Sequence, residues 1–442
     1  MTSLKKIVTY EDALNFIHGR TQFKKIPTLK RMKKLMEKLG NPQNELQMIH
    51  VAGTNGKGST VAFLQSLFMQ QGLQVGTFTS PFLKRFNERI SLNGKPIDDD
   101  ELVKLTQAIL PIIQQLDATL PEGGPTEFEI VTALMFMYFN QVQPDIVIVE
   151  VGIGGLFDST NIISPLISVI TTIGYDHMKL LGDTLPKIAA QKGGIIKPGV
   201  PVVIGELPED ANDTITKIAQ QQNAKLYQPT IDYLVTKEEL PKWGAQFKYS
   251  GIGLTSVEFT IDLLGDYQID NAAVALTAFQ LYCESHDFTP AINTMKKGLQ
   301  MAYWAGRMER VNDQPLIILD GAHNLPAVTA IAQTIKTTFK HQEVYVLIAI
   351  LADKQVHKMV ATLAALKNVH LVVTPFAGPT KKRPGAISEQ LLANQQPVNE
   401  IKTVNSWQAG LVQITQQMSA DDILLITGSL YFISEVRPFF KD

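Results

Sequence analysis

Short apolar runs rich in β-branched residues recur along the chain, separated by stretches with helical spacing. LQMIHV, VGTF, DIVIVEV, LISVITT and PVVI come first, and LIILD, VYVLIAI, VHLVVT and ILLIT follow. A strand that is apolar at successive positions is buried on both faces, so its alternation with helices predicts parallel sheets covered on both sides. Two such series predict two α/β domains. The pattern breaks in GLQMAYWAGRM, residues 298–308, before a fresh strand at Leu316. The expected division is therefore a domain over 1–302, a linker over 303–308 and a smaller domain over 309–442. A chain of 442 residues also exceeds what one hydrophobic core fills, which agrees with two units.

Forty basic and 42 acidic side chains leave a net charge of -2, which supplies no general field for nucleic acid or an acidic membrane. Any bound anion must be held by a local site. The single cysteine, Cys283, lies in the apolar stretch AVALTAFQLYC and reads as a buried thiol. MTSLKKIVTYEDALNFIHGR has no continuous apolar signal core, and the longest apolar run, VYVLIAILA, is far short of the roughly 18 residues a membrane span needs. The expectation is a soluble cytoplasmic protein with no nucleic-acid or membrane partner, acting as a monomer.

HVAGTNGKGST, from His50 to Thr60, joins a strand to the helical stretch VAFLQSLFMQQ. Strand, glycine-rich turn and helix are the setting in which backbone N–H groups and a helix N-terminus cradle phosphate, with Lys57 adding a mobile positive charge. The match to a phosphate-binding loop is irregular: Val51 stands at the first glycine position, and Gly58 displaces the hydroxyl to Ser59. A bare glycine turn is the competing interpretation. A nucleotide site also needs a hard oxygen ligand for magnesium, and DIVIVEV delivers Glu150 at a strand end just before the glycines of VGIGG. A buried glutamate paired with a lysine or arginine would look the same. LISVITT runs on into IGYDHMKLLG, placing Asp176 and His177 on another strand exit, where ligands of parallel sheets bind.

AGTNGKGS, TSPFLKRFNERI, VIVEVGIGGLFDSTN, DHMKLLG, QKGGIIK, DGAHN and TGSLY, in this order, resemble the folylpolyglutamate synthases, a family of Mur-ligase-type ATP-dependent amide ligases. The resemblance implies an N-terminal P-loop ATPase domain with a mainly parallel sheet and a smaller C-terminal Rossmann-like α/β domain, with the active site in the cleft between them. It implies transfer of the ATP γ-phosphate to a folate or folylpolyglutamate carboxylate, then attack by L-glutamate on the acyl phosphate.

By motif, Asn55, Gly56, Lys57, Gly58 and Ser59 would surround the ATP phosphates, and Asn271 and Arg307 would bind the nucleotide. Ser80 and Glu150 would hold one Mg2+ and His177 a second. Lys192 of QKGGIIK matches a lysine that the family carries as a carbamate. Asp320 and His323 of DGAHN would face nucleotide and glutamate, with Ser429 and Tyr431 of TGSLY assisting glutamate. For the folate, TSPFLKRFNER offers Phe82 for ring stacking and Arg89 for a carboxylate. Thr126, Glu127 and Phe128 of TEFE, with Asp158 of LFD, match the dihydropteroate region of bifunctional relatives. Those relatives carry arginine where this chain has Leu156, which argues against dihydrofolate synthase as a second activity. The run TKKRPG, Thr380 to Gly385, offers charge for a polyglutamate tail, although such loop charges are usually just solvated. A P-loop kinase or regulatory NTPase is the reading from a different class.

Overall fold

The computed structural model describes residues 6–21, 28–238, 243–378, 383–393 and 395–440. Among them, eight strands form a first sheet in the order Lys95–Pro96, Ile90–Leu92, Val75–Phe78, Ile146–Glu150, Met48–Ala52, Ile167–Ile170, Val202–Ile204, Leu226–Tyr227. Ile90–Leu92 runs antiparallel to both of its neighbours at this edge, and the remaining neighbours run parallel. Every residue of Met48–Ala52 and of Ile146–Glu150 is buried.

Alternate residues of these central strands enter opposite cores. Ile49, Val51, Ile146 and Ile148 meet helices Lys57–Gln70, Asp266–Ser285 and Ile292–Gln300, whereas Met48, Val147 and Val149 meet Asp99–Thr119 and Glu127–Val142. Cys283 is buried in the first of these cores, and burial pushes its thiol up to about 12.

A second sheet of six strands has the order Glu309–Asp313, Leu316–Leu319, Ile423–Thr427, Val344–Ile348, Val369–Val373, Lys402–Thr403. Only its first strand is antiparallel. Helices Leu325–Thr338 and Val356–Ala364 cover one face, and Trp407–Thr415 and Leu430–Val436 the other. In both sheets the parallel strands end at a shared cleft, where Ala52, Glu150, Ile170, Leu319 and Thr427 each hand over to a loop.

All nine apolar runs read from the sequence are strands. Two features escaped that reading. Leu234–Lys237, Ala245–Gly251 and Leu254–Ile261 form a separate antiparallel sheet whose Phe247, Tyr249 and Phe259 fill the first core. The Ala245–Gly251 strand alternates between buried and half-buried residues, a period-two signal unlike the continuous runs of the parallel strands. The second sheet also begins earlier than Leu316, with the polar edge strand Glu309–Asp313.

The short helix Lys30–Lys38 is tied to the first sheet's cover by a buried ion pair, Arg31 to Glu129, with N···O distances of 3.0 and 3.1 Å. Glu129 also accepts the Thr126 N–H at 2.7 Å. Replacing Arg31 with leucine strands that carboxylate without its cation. Arg31→Leu should lower the unfolding free energy in urea by about 3–5 kcal/mol. A loss below about 1 kcal/mol, the scale of an exposed pair, would count against a buried structural role.

Candidate active site

The loop from Gly53 to Gly56 leaves the central strand and opens the 14-residue helix Lys57–Gln70. One glycine at the end of the loop and one in the first turn of the helix allow close approach rather than mere flexibility. Gly56 has φ 84°, and a Cβ there would strike the Asn271 amide. A Cβ on Gly58 would lie 2.6 Å from the indole nitrogen of Trp304. Lys57 folds back over the loop, donating to the carbonyls of Gly53 at 3.1 Å and Thr54 at 3.3 Å, with Glu150 Oε1 3.9 Å away. The Ser59 hydroxyl sits in the first turn of the helix and lines the cleft.

Glu150 ends its strand at 4% exposure. One oxygen accepts the Ser80 N–H at 3.1 Å. Burial pushes its pKa up, and the nearby charge of Lys57 opposes that shift most strongly. Lys192, also 4% exposed, is held by burial and by Lys57 down to about 7. His177 adopts φ 49° at the start of the short helix Met178–Leu181, and burial lowers its pKa to about 4, leaving a neutral imidazole. Asn271 is buried in the first turns of Asp266–Ser285 and donates to Gln268 at 3.0 Å.

From the second sheet, Asp320 accepts the backbone N–H groups of Met308 and Ala322, each at 2.8 Å. Burial raises its pKa against the pull of Arg307. His323 donates from Nδ1 to the Gly321 carbonyl at 2.9 Å, which fixes its tautomer. These residues surround a cleft of about 580 Å³, which also takes in Arg307.

Asp176 joins the two halves of that cleft. Its carboxylate meets Lys354 Nζ at 2.7 Å and Asn324 Nδ2 at 3.0 Å, with His323 Nε2 at 3.7 Å. Burial disfavours its charge, yet His177, Lys354 and His323 outweigh burial and hold it well below the usual carboxylate range. Asn55 and Asn324 exchange side-chain hydrogen bonds at 3.0 and 3.1 Å across the same gap. Sequence reasoning noticed Asp176 but assigned no role to Asn324 or Lys354. Asn324 was within sight, as the last residue of DGAHN, whereas Lys354 lies 178 positions from its partner and no local pattern marks it.

A second cavity of about 470 Å³ adjoins the first and shares Ser80, Gly152, Ile153, His177 and His323 as walls. Arg89, Thr126, Glu127, Phe128, Asp158, Ser429 and Tyr431 all line it. Arg89 is half-buried beside an aromatic pair, its guanidinium 5.2 Å from the centroid of Phe82 and 5.7 Å from that of Phe86, and desolvation lowers its pKa. Phe82 therefore stacks on Arg89 and is not a wall of either cavity, contrary to its expected place against a ligand ring. Several other side chains here support the backbone. Thr126 caps Glu127–Val142, and Ser429 caps Leu430–Val436. Glu127 pairs with His18 at 3.0 Å. Asp158 gathers the N–H groups of Ile153 and Thr160, each at 3.0 Å, and the Thr160 hydroxyl at 2.6 Å.

Leu156 is 38% exposed and is not a wall of the second cavity, whereas its neighbour Phe157 is. Of the TKKRPG run, Thr380, Lys381 and Lys382 lie outside the described residues. Arg383 lines the second cavity and pairs with Asp353 at 2.9 Å.

Among the described residues, no three His, Cys, Asp or Glu side chains converge as a metal-binding group. The Glu150 carboxylate and the Ser80 hydroxyl nevertheless suit a hard divalent cation that takes its remaining oxygens from phosphate and water.

Comparison with known proteins agrees with this arrangement. The Mur ligase middle domain matches residues 51–279, and the Mur ligase glutamate ligase domain matches residues 306–430. The chain is 38% identical over 437 residues to a Bacillus subtilis dihydrofolate synthase/folylpolyglutamate synthase, covering 98% of this chain and 99% of that one. It is 36% identical over 431 residues to the Lacticaseibacillus casei folylpolyglutamate synthase, covering 97% and 98%. Among solved structures, an FPGS–AMPPCP–folate complex matches with a TM-score of 0.86 at 34% identity over 98% of this chain and 100% of the other. Mycobacterium tuberculosis folylpolyglutamate synthase with ADP matches with a TM-score of 0.88 at 27% identity, covering 98% of each. Two cavities fused at the strand exits, a phosphate loop in one and a half-buried arginine in the other, thus sit on a chain that belongs to the Mur ligase family, on the branch of the dihydrofolate and folylpolyglutamate synthases.

Proposed function

We propose that this chain adds L-glutamate to folate or folylpolyglutamate in an ATP-dependent reaction that passes through an acyl phosphate and releases ADP and phosphate. The observation that carries the reading is the common wall of the two cavities. A carboxylate held in the second cavity can meet the terminal phosphate of a nucleotide held in the first. The acyl phosphate would then form inside the cleft, where both substrates are held.

Lys57, the loop from Asn55 to Ser59, Asn271 and Arg307 hold ATP, the arginine through its fork of donors. Glu150 and Ser80 would hold one Mg2+, with neutral His177 available to a second. Bound there, the ion supplies Lewis acidity and charge neutralisation at the phosphates. Arg89 holds the folate or its carboxylate, while Thr126, Glu127, Phe128 and Asp158 shape the surrounding wall. The ring of Phe82 serves this site by supporting Arg89. His323 and Tyr431 face the entering glutamate, and Ser429 and Asp320 position the backbone around it.

Lys192 acts as a carbamate. Its amine titrates near 7, so above that pH it is uncharged and open to carbon dioxide, and below it protonation reverses the adduct. The units 1–302 and 309–442 work as two domains on the 303–308 linker. The protein is proposed to act as a monomer and in the cytoplasm, where its single thiol stays reduced. Among the described residues, no helix is long and apolar enough to cross a membrane.

Dihydrofolate synthase activity is the second reading. The observation that favours it is that position 156 is not a wall of the second cavity, so leucine there removes no cavity charge.

Phosphate release measured with tetrahydrofolate, dihydropteroate or neither, each with and without glutamate, tests these readings together. Sustained release should need both a pterin substrate and glutamate. Turnover indifferent to glutamate would point to a kinase or regulatory NTPase, and turnover only with dihydropteroate would reverse the two ligase readings. Lys57→Ala and Glu150→Ala should each abolish turnover, and a near-normal rate in either would contradict the phosphate and metal assignments.

For Lys192, turnover at about pH 8 should fall in carbon-dioxide-depleted buffer, return with bicarbonate, and decline as pH drops through about 7. A rate indifferent to bicarbonate, with no carbamate carbon visible by NMR after labelled bicarbonate is added, would remove the carbamate from the mechanism.

A further inference from the structure

The segment between the two sheets is fastened alternately to both. Ala302 is buried in the first core, and Trp304 packs against the same core with its indole over Gly58 of the phosphate loop. Tyr303 and Gly306, interleaved with them, are held from the other side by Glu309, the first residue of the edge strand. The Glu309 carboxylate receives the Tyr303 hydroxyl and, at 2.9 Å, the Gly306 N–H. Arg437, at the far end of the chain, grips both of its oxygens, Nε to Oε2 at 2.9 Å and Nη2 to Oε1 at 2.8 Å. Arg437 also donates to the Tyr303 hydroxyl at 3.2 Å, and the Glu309 side chain is only 1% exposed.

Arg307 hangs from this fixed backbone. The Gly306 carbonyl before it accepts from Gly321 N–H at 2.8 Å and from Arg307 Nη1 at 3.1 Å, and the Met308 N–H after it donates to Asp320 at 2.8 Å. The Gly306 backbone at φ 70° makes the turn that a residue with a side chain would strain to adopt.

We propose that Glu309, Arg437 and Tyr303 form a clamp of positioning residues that presents Arg307 to the nucleotide, with Trp304 coupling the clamp to the phosphate loop. None of the three enters either cavity, so they act through Arg307. A two-pronged arginine–carboxylate pair suits this task, because it fixes orientation as well as distance. The proposal rests on the nucleotide reading of the first cavity.

Trp304 provides the test, since the chain has three tryptophans and Trp243→Phe with Trp407→Phe leaves it as the sole reporter. In that parent, AMPPCP with magnesium should change the Trp304 emission. Arg437→Met should raise the KM for ATP by roughly 10- to 100-fold, the cost of a small misplacement. It should leave the KM for glutamate unchanged and move the Trp304 response to correspondingly higher analogue concentrations. Arg437→Lys, which keeps the charge without the fork, should recover part of the loss. Tyr303→Phe removes one hydroxyl from a half-exposed ring and keeps the fold, so it decides the question if Arg437→Met does not fold; it should shift both readouts in the same direction by less. A lowered melting temperature in these variants with ATP KM and Trp304 titration unchanged would overturn the clamp. Nucleotide binding by calorimetry with silent Trp304 emission would overturn its coupling to the loop. No binding of AMPPCP by the parent would instead defeat the nucleotide reading on which both depend.

Discussion

The carboxylate of Asp176 is the contact on which the geometry of the cleft depends. It leaves the first sheet at a strand exit and meets three groups of the second, with its own side chain and that of Lys354 each only 10% exposed. A lone buried charge there would be costly on either side, so each half of the cleft completes the other. Asn324 extends the same contact in two directions. It donates to Asp176, exchanges hydrogen bonds with Asn55 of the phosphate loop, and caps the helix Leu325–Thr338 by accepting the Ala327 N–H at 3.0 Å. The separation of the sheets, the start of that helix and the pose of the loop are thus set by one connected group of polar atoms.

Around this contact the acidic side chains divide into two kinds. Glu150 keeps an oxygen toward Lys57 and the cleft. Asp158, Asp320 and Glu129 instead spend their oxygens largely on backbone N–H groups, on Thr160 or on Arg31. The second kind controls where glycine-rich loops run, which in a site built from strand exits matters as much as direct contact. A sequence motif does not separate the two, because an acid that shapes a loop and an acid that touches a ligand recur at the same place in the chain.

That limit explains what the sequence disclosed. Parallel strands buried on both faces announce themselves as continuous apolar runs, and each of the nine was legible. The half-buried antiparallel sheet around Phe247 and Tyr249 was not, because its signal has a different period and its partners are local. In the site, the strand–turn–helix around Lys57 and the strand-end position of Glu150 follow from residue type and order alone. The partnership of Asp176 with Lys354 arises only when distant loops meet. Phe82 illustrates the difference: its identity suggested a stacking partner, and it has one, but the partner is the protein's own arginine.

The boundary between the two cavities combines backbone with side chains, setting Gly152 and Ile153 beside Ser80, His177 and His323. At Gly152 a Cβ would collide with the Phe128 ring at 2.6 Å, and Gly152 and Ile153 border both spaces. At that glycine the boundary carries no side chain, and the Phe128 ring leaves no room for one. A molecule joining a phosphate mimic to an aromatic acid through a short linker could occupy both spaces at once, and a larger residue at Gly152 is not open to the chain as a way to exclude it.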